Sequence, residues 1–302
     1  MPATKSASPK DPAEDVLRGT VERITDEVVR SLDDAPDPRL RQVLSSLVSH
    51  LHALATEVAL TQAEWEAGIA FLTATGQKSD DKRQEFILLS DVLGLSMVVD
   101  AVCENLPPGA TESTVLGPFY VADSPERQYG ESIAEQPSGE PTWVSGVVRD
   151  LDGRPIAGAE LDVWQNAADR LYAVQNPDVP QNNLRGRFRA RDDGSYGFVA
   201  VRPTDYTIPT DGPVGDLLRA TARHPWRPAH LHLIVRAPGY RTVTTHVFDS
   251  ESEHLASDAV FAVKPSLVRT FVQRDEDDPA RPAGIVGPWT SVDNDLVLTP
   301  LD

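Results

Sequence analysis

Apolar positions recur at helical spacing through the first third of the chain and at strand spacing afterwards. Val16, Val21, Ile24 and Val28 return every three to five residues. Leu40, Val43, Leu44, Leu47, Val48, Leu51 and Leu54 form a cleaner i, i+3, i+4, i+7 stripe, the mark of an amphipathic helix. Thr61 with Glu64 has the form of a capping box, predicting a third helix through Trp65, Ile69 and Leu72 that ends near Gly76. Ser79 to Glu104 is apolar on more than one face, which predicts a fourth, central helix. At Pro107-Pro108-Gly109 the pattern changes to short alternating runs. Trp143–Arg149, Ala159–Gln165, Ser195–Val201, His230–Val235 and Arg241–Phe248 read as strands. Asp152-Gly153, Asp193-Gly194 and Pro238-Gly239 read as turns between them. Helices first and strands second, without βαβ alternation, predict an α+β chain: an N-terminal helical segment followed by an antiparallel β-sandwich. The expected division is a disordered tail over 1–10, helices over 11–110 and the sandwich over 111–302.

Charge and composition narrow the partners. The 302 residues carry 46 acidic against 28 basic side chains, a formal charge of -18. That disfavours nucleic acid, whose phosphates need clustered Lys and Arg, and an anionic membrane surface. No stretch approaches the roughly 20 apolar residues of a membrane span. The polar start, MPATKSASPKDPAED, lacks the apolar core of a signal peptide, so a cytoplasmic protein is expected. Cys103 is the only cysteine, so any metal site must be built from nitrogen and oxygen donors.

His230 and His232 flank Leu231 in a strand-like run, AHLHLIV. Residues i and i+2 of a strand face the same side, so two imidazoles would stand together on rigid backbone. On the residues alone, the pair is equally the polar face of an ordinary strand. His50 and His52 share the same spacing on a helix, where it points them to different faces. Arg227 lies between two prolines just before the pair and suits anion stabilisation. Tyr172 and Tyr206 offer hard oxygen donors of the kind that suit a trivalent metal, although spacing does not select them from core tyrosines.

Longer motifs add a resemblance. HPWRPAHLH, with PTDYTIPTDGPVG before it, APGYRTVTTHVF after it and ESTVLGPFYVAD near Glu112, is similar to the intradiol ring-cleavage dioxygenases. The set QEFILLSD, STVLGPFY, DGPVG, HPWRPAHLH and THVF is most similar to the hydroxyquinol-cleaving branch, over about Ile24 to Val263. The resemblance implies one Fe(III) per subunit, held by Tyr172, Tyr206, His230 and His232. It implies that Arg227 stabilises the substrate anion and that Tyr206 leaves the metal carrying a substrate proton. His246 falls where catechol-specific relatives carry Gln. Leu88, Asp91, Val115, Leu116, Gly117 and Pro118 match the pocket around the aromatic ring, with Leu116 standing where close relatives tend to carry Phe. The implied reaction joins O2 and hydroxyquinol to give 3-hydroxy-cis,cis-muconate, the enol of maleylacetate. Catechol or chlorocatechol cleavage is the alternative within the family, and a non-catalytic β-sandwich binding module the alternative outside it. A homodimer through the helices, enclosing an apolar tunnel able to hold a lipid, is implied as well.

Overall fold

A computed structural model describes residues 12–80, 83–103, 106–136 and 139–301. The expected disordered tail over 1–10 and the end of the predicted fourth helix at Glu104 lie outside these. The chain forms two compact units that meet at Thr73 and Ala74.

The first unit holds α1 (Pro12–Arg30), α2 (Pro38–Glu57) and the start of α3 (Gln62–Lys78). Asp37 caps α2 by accepting from the Arg39 amide at 2.8 Å, with Pro38 in the first turn where a missing N–H costs nothing. The Thr61–Glu64 box closes in both directions, at 2.9 and 3.3 Å. α1 and α2 pack together, and Thr25 meets His52 Nδ1 at 2.8 Å between them. His50 instead bonds back to the Ser46 carbonyl on its own helix. No residue of α2 is buried: its stripe of Leu40, Val43, Leu47, Leu51 and Leu54 stays about half exposed.

The second unit departs from the predicted single helix over Ser79–Glu104. Two helices, α4 (Glu85–Val92) and α5 (Leu95–Cys103), meet at an angle of 79°. Gly94 makes the break with φ +73°, a conformation that favours glycine, where a helix-period reading sees only continued apolarity. No single described helix is long and apolar enough to cross a membrane.

Twelve strands follow among the described residues. One sheet contains β1 (Pro141–Asp150), β4 (Ser195–Val201), β10 (Val272–Arg274), β11 (Trp289–Asp293) and β12 (Leu296–Leu298). The other has the order β3 (Arg185–Arg189), β2 (Glu160–Gln165), β7 (His230–Arg236), β8 (Val243–Asp249), β9 (Val268–Arg269). A two-stranded ribbon pairs β5 (Tyr206–Thr207) with β6 (Trp226–Arg227), and α6 (Pro213–Ala220) lies between them in sequence. The sheets are mixed rather than purely antiparallel, because β1 pairs in parallel with β11 and β12, and β8 with β9. Those partners come from the C-terminal segment, which no adjacent turn predicts.

Alternate side chains of the two sheets form one core. Val144, Val148, Tyr196 and Phe198 of the first sheet belong to it with Leu161, Val163, Leu231, Leu233, Val235 and Val247 of the second. The opposite face of the second sheet carries Trp164, His230, His232, Ile234, His246 and Phe248, all buried as well. Strands covered on both faces lose the hydrophobic-in, polar-out alternation. The chemistry therefore sits on the outer face of the second sheet.

Gly146 marks where β1 changes partner from β11 to β12. A Cβ there would collide with the Asn294 carbonyl and touch the Tyr196 ring, and Tyr196 donates its hydroxyl to that same carbonyl at 2.5 Å. Gly146→Ala is expected to lower stability by about 1–3 kcal/mol through overpacking, measured by urea unfolding. Unchanged stability would mean that the β1–β12 junction yields freely.

Candidate metal centre

β7 is the middle strand of its sheet, and His230 and His232 stand side by side on its outer face. Their Nε2 atoms lie 3.1 Å apart, and Tyr172 Oη is 3.0 Å from Nε2 of His232. Tyr172 enters from the loop after β2, at the start of a one-turn helix (Ala173–Gln175) whose Gln175 side chain accepts from the Tyr172 amide. Tyr206 enters on the β5–β6 ribbon, where it pairs with Arg227. Asn166 ties the two tyrosine loops together through the Thr204 carbonyl at 2.8 Å. Arg227 Nη1 donates to Tyr206 Oη at 3.2 Å and lies 3.5 Å from His230 Nε2. All five side chains are 2% exposed or less.

The hydrogen-bond network assigns the imidazole tautomers. His230 Nδ1 lies 2.7 Å from the Pro228 carbonyl, which can only accept, so the proton is on Nδ1 and Nε2 presents a lone pair. For His232 to offer Nε2 in the same way, its Nδ1–H donates to His246 Nε2 at 2.8 Å. His246 then donates from Nδ1 to Thr114 Oγ1, also at 2.8 Å. This back support fixes ring orientation and strengthens the facing nitrogen as a donor. Burial holds all three histidines well below their usual pKa, with the positive field of Arg227 adding to the effect. Neutral imidazole is the form that binds a metal. Burial pushes the Tyr172 phenol well up, and Arg227 and Arg185 pull it the other way.

The donors fit a metal ion. Bonds of about 2.1 Å at a right angle place two donors about 3.0 Å apart, the spacing found here. Two phenol oxygens with two imidazoles, and no thiolate, make a hard set suited to Fe(III). His230, His232 and His246 also offer nitrogen atoms within 4.8 Å of one another. A three-histidine site is nevertheless disfavoured, because His246 meets His232 from behind, on the nitrogen turned away from Tyr172.

Residues 115–288 match a family model described as "Dioxygenase", and residues 37–111 match "Catechol dioxygenase N terminus". The chain belongs to the intradiol ring-cleavage dioxygenases. The 6-chlorohydroxyquinol 1,2-dioxygenase of Cupriavidus pinatubonensis is 51% identical over 83% of this chain and 91% of its own. The hydroxyquinol 1,2-dioxygenase of a Rhizobium species is 47% identical over 92% and 95%. The solved hydroxyquinol 1,2-dioxygenase of Pseudomonas putida DLL-E4 superposes with a TM-score of 0.88 at 48% identity, covering 94% of this chain and all of that one. The chain is thus an enzyme of this family, and the binding-module alternative falls.

The pocket residues expected for the family divide into two groups. Leu88 and Asp91 are buried on α4. Burial raises the Asp91 carboxyl above its usual range, with Ser96 and Arg227 opposing the rise. The segment around Val115 is pinned over β8 by the Thr114 amide on the Thr244 carbonyl and by the Thr245 hydroxyl on the Glu112 carbonyl. There Gly117 has φ +76°, and a Cβ on it would come within 3.2 Å of His232 Cε1. Leu116 and Pro118 face solvent, and Val115 is half-buried.

Sequence reasoning missed Asp258. Its carboxylate accepts from Arg227 at Nε (3.1 Å) and Nη2 (3.3 Å), and from the amides of Val260 (3.2 Å) and Ala262 (3.0 Å). The acid lies 31 residues from Arg227, so no spacing links the two. Desolvation works against the Arg227 charge, but Asp258 together with Tyr206 and Tyr172 outweighs it and raises the pKa above the ordinary arginine value. Asp258→Ala strands a buried cation and is expected to cost about 3–5 kcal/mol in urea unfolding. Adding Arg227→Met removes that cation and should recover part of the loss. Strict additivity of the two substitutions would show that the pair is uncoupled.

Proposed function

We propose that the protein cleaves hydroxyquinol with O2 between its two adjacent hydroxylated carbons, releasing 3-hydroxy-cis,cis-muconate. The observation that carries the proposal is the convergence of Tyr172, Tyr206, His230 and His232 on one buried point beside Arg227. The names of the similar dioxygenases from Cupriavidus and Rhizobium support the substrate. Those four residues would hold one Fe(III) per chain. The chemistry such an ion supplies when bound is Lewis-acid activation of a chelated diolate toward O2.

The chain's own groups handle charge and protons. A diol arrives neutral and must lose two protons to chelate. Tyr206 Oη is placed to accept one of them, since Arg227 Nη1 already supports that oxygen. Arg227, fixed by Asp258, supplies a positive charge that needs no reorganisation as anionic oxygen develops. His246, acting through His232, serves as a positioning residue. Leu88, Val115 and Gly117 line the inner side of the ring pocket, and Leu116 and Pro118 stand at its solvent-facing rim. Asp91 hydrogen-bonds the third hydroxyl of hydroxyquinol, a contact for which its buried carboxyl on α4 is suited. The catalytic half begins near residue 111.

The exposed stripe on α2 supports self-association. We infer a homodimer in which this stripe meets a second copy. Sedimentation should give the mass of two chains, and Leu47→Glu with Leu51→Glu should give one. A monomeric wild-type protein would end the dimer proposal.

Oxygen uptake by iron-loaded protein is expected to be fastest with hydroxyquinol and slower with catechol. Asp91→Ala should narrow that preference about tenfold, the effect of losing one buried hydrogen bond of roughly 1.4 kcal/mol. No uptake with either substrate would defeat the proposal. An unchanged preference in Asp91→Ala would remove only the role given to Asp91.

A further inference from the structure

Arg185, on edge strand β3, is 2% exposed, and no carboxylate among the described residues lies within ion-pair distance of it. Nη2 donates to the Phe119 carbonyl at 2.7 Å, while Nε and Nη1 are buried without a partner. Burying a cation so incompletely satisfied is costly, and a fold gains nothing from it by itself. The side chains around it explain its retention.

Cross-strand register places Arg185 opposite Trp164, Trp164 opposite His232, and His232 opposite His246. These four side chains form one row across β3, β2, β7 and β8 on the functional face. The Trp164 indole lies flat against the His232 ring, with centroids 4.6 Å apart and planes at 12°. On its other side, the residue that Arg185 holds by its carbonyl stacks on Tyr172: the Phe119 and Tyr172 rings are 4.5 Å apart at 26°. One guanidinium thus backs both His232 and Tyr172. Arg227, by contrast, has its own charge balanced by Asp258.

We propose that Arg185 is a positioning residue for the Tyr172–His232 half of the metal centre, a buried positive charge kept for the anionic ligand set at the expense of the metal-free protein's stability. The proposal rests on the Fe(III) reading given above. Its sign distinguishes it from a structural role. An arginine that simply holds the fold stabilises the protein whether or not metal is present. An arginine retained for the centre destabilises the metal-free form and tightens the metal.

The test uses full-length protein in iron-free and iron-loaded forms, with Arg185→Met and Arg185→Gln as variants. Thermal unfolding of the iron-free form, ferric-iron retention against a chelator and the visible tyrosinate-to-iron band are the readouts. The expected result is an iron-free midpoint equal to or above wild type, iron retention weakened tenfold or more, and a shifted band. Arg185→Lys, which keeps the charge, should recover part of the retention. A lowered iron-free midpoint with wild-type retention and band, or failure of both variants to fold, overturns the proposal. Wild-type protein that takes up ferric iron without developing the band defeats the Fe(III) reading itself, and the role of Arg185 with it.

Discussion

The register of one central strand is the constraint on which the site depends. β7 is hydrogen-bonded on both sides, so His230 and His232 cannot slip without breaking two ladders. A slip of one residue would turn Leu231 and Leu233 outward and send both imidazoles into the apolar core. Backbone pairing therefore fixes the geometry of the two imidazoles. The strands also order the support behind the ligands, since the same register sets Trp164 and His246 on either side of His232. Tyr172 comes from a loop and Tyr206 from the short β5–β6 ribbon instead, so neither is held in the large sheet that fixes the imidazoles.

Charge divides between the exterior and the functional face. The exterior carries most of the -18, while the functional face gathers two buried arginines with different balances. Arg227 is paired with Asp258, which fixes the direction of its donors. Arg185 has no such partner and leaves positive charge under the ligand set. A diol enters uncharged, so the acidic surface does not oppose its approach, and the anionic product departs toward a surface that repels it.

The central strands were legible from their apolar and β-branched runs. Ser195–Val201 matches its prediction end to end, and His230–Val235 falls one residue short of β7. The His-x-His spacing placed the two imidazoles on one face because period two is a property of the strand itself. The fourth helix was misread because Leu93 and Leu95 continue the apolar run through Gly94, and one residue with positive φ outweighs the pattern. The parallel pairs of β1 with β11 and β12 join segments about 150 residues apart and leave no local mark. Asp258 and Arg185 were hidden likewise. An acidic residue in a loop and an arginine in an edge strand look like ordinary surface until the fold closes over them.

The α2 stripe shows the limit of periodicity in the other direction. Leu40 to Leu54 has the pattern of a buried face, yet among the described residues none of its positions is fully buried. Such a face costs roughly 25 cal/mol per Å² of apolar surface left in water, a penalty relieved only when the face is covered. The periodic signal therefore reports where apolar surface must be covered, not by what. In the second unit the cover is a second sheet and its loops, whereas α2 keeps its stripe about half exposed. A sequence pattern of this kind constrains assembly as firmly as it constrains folding, and only the exposure of the stripe tells the two apart.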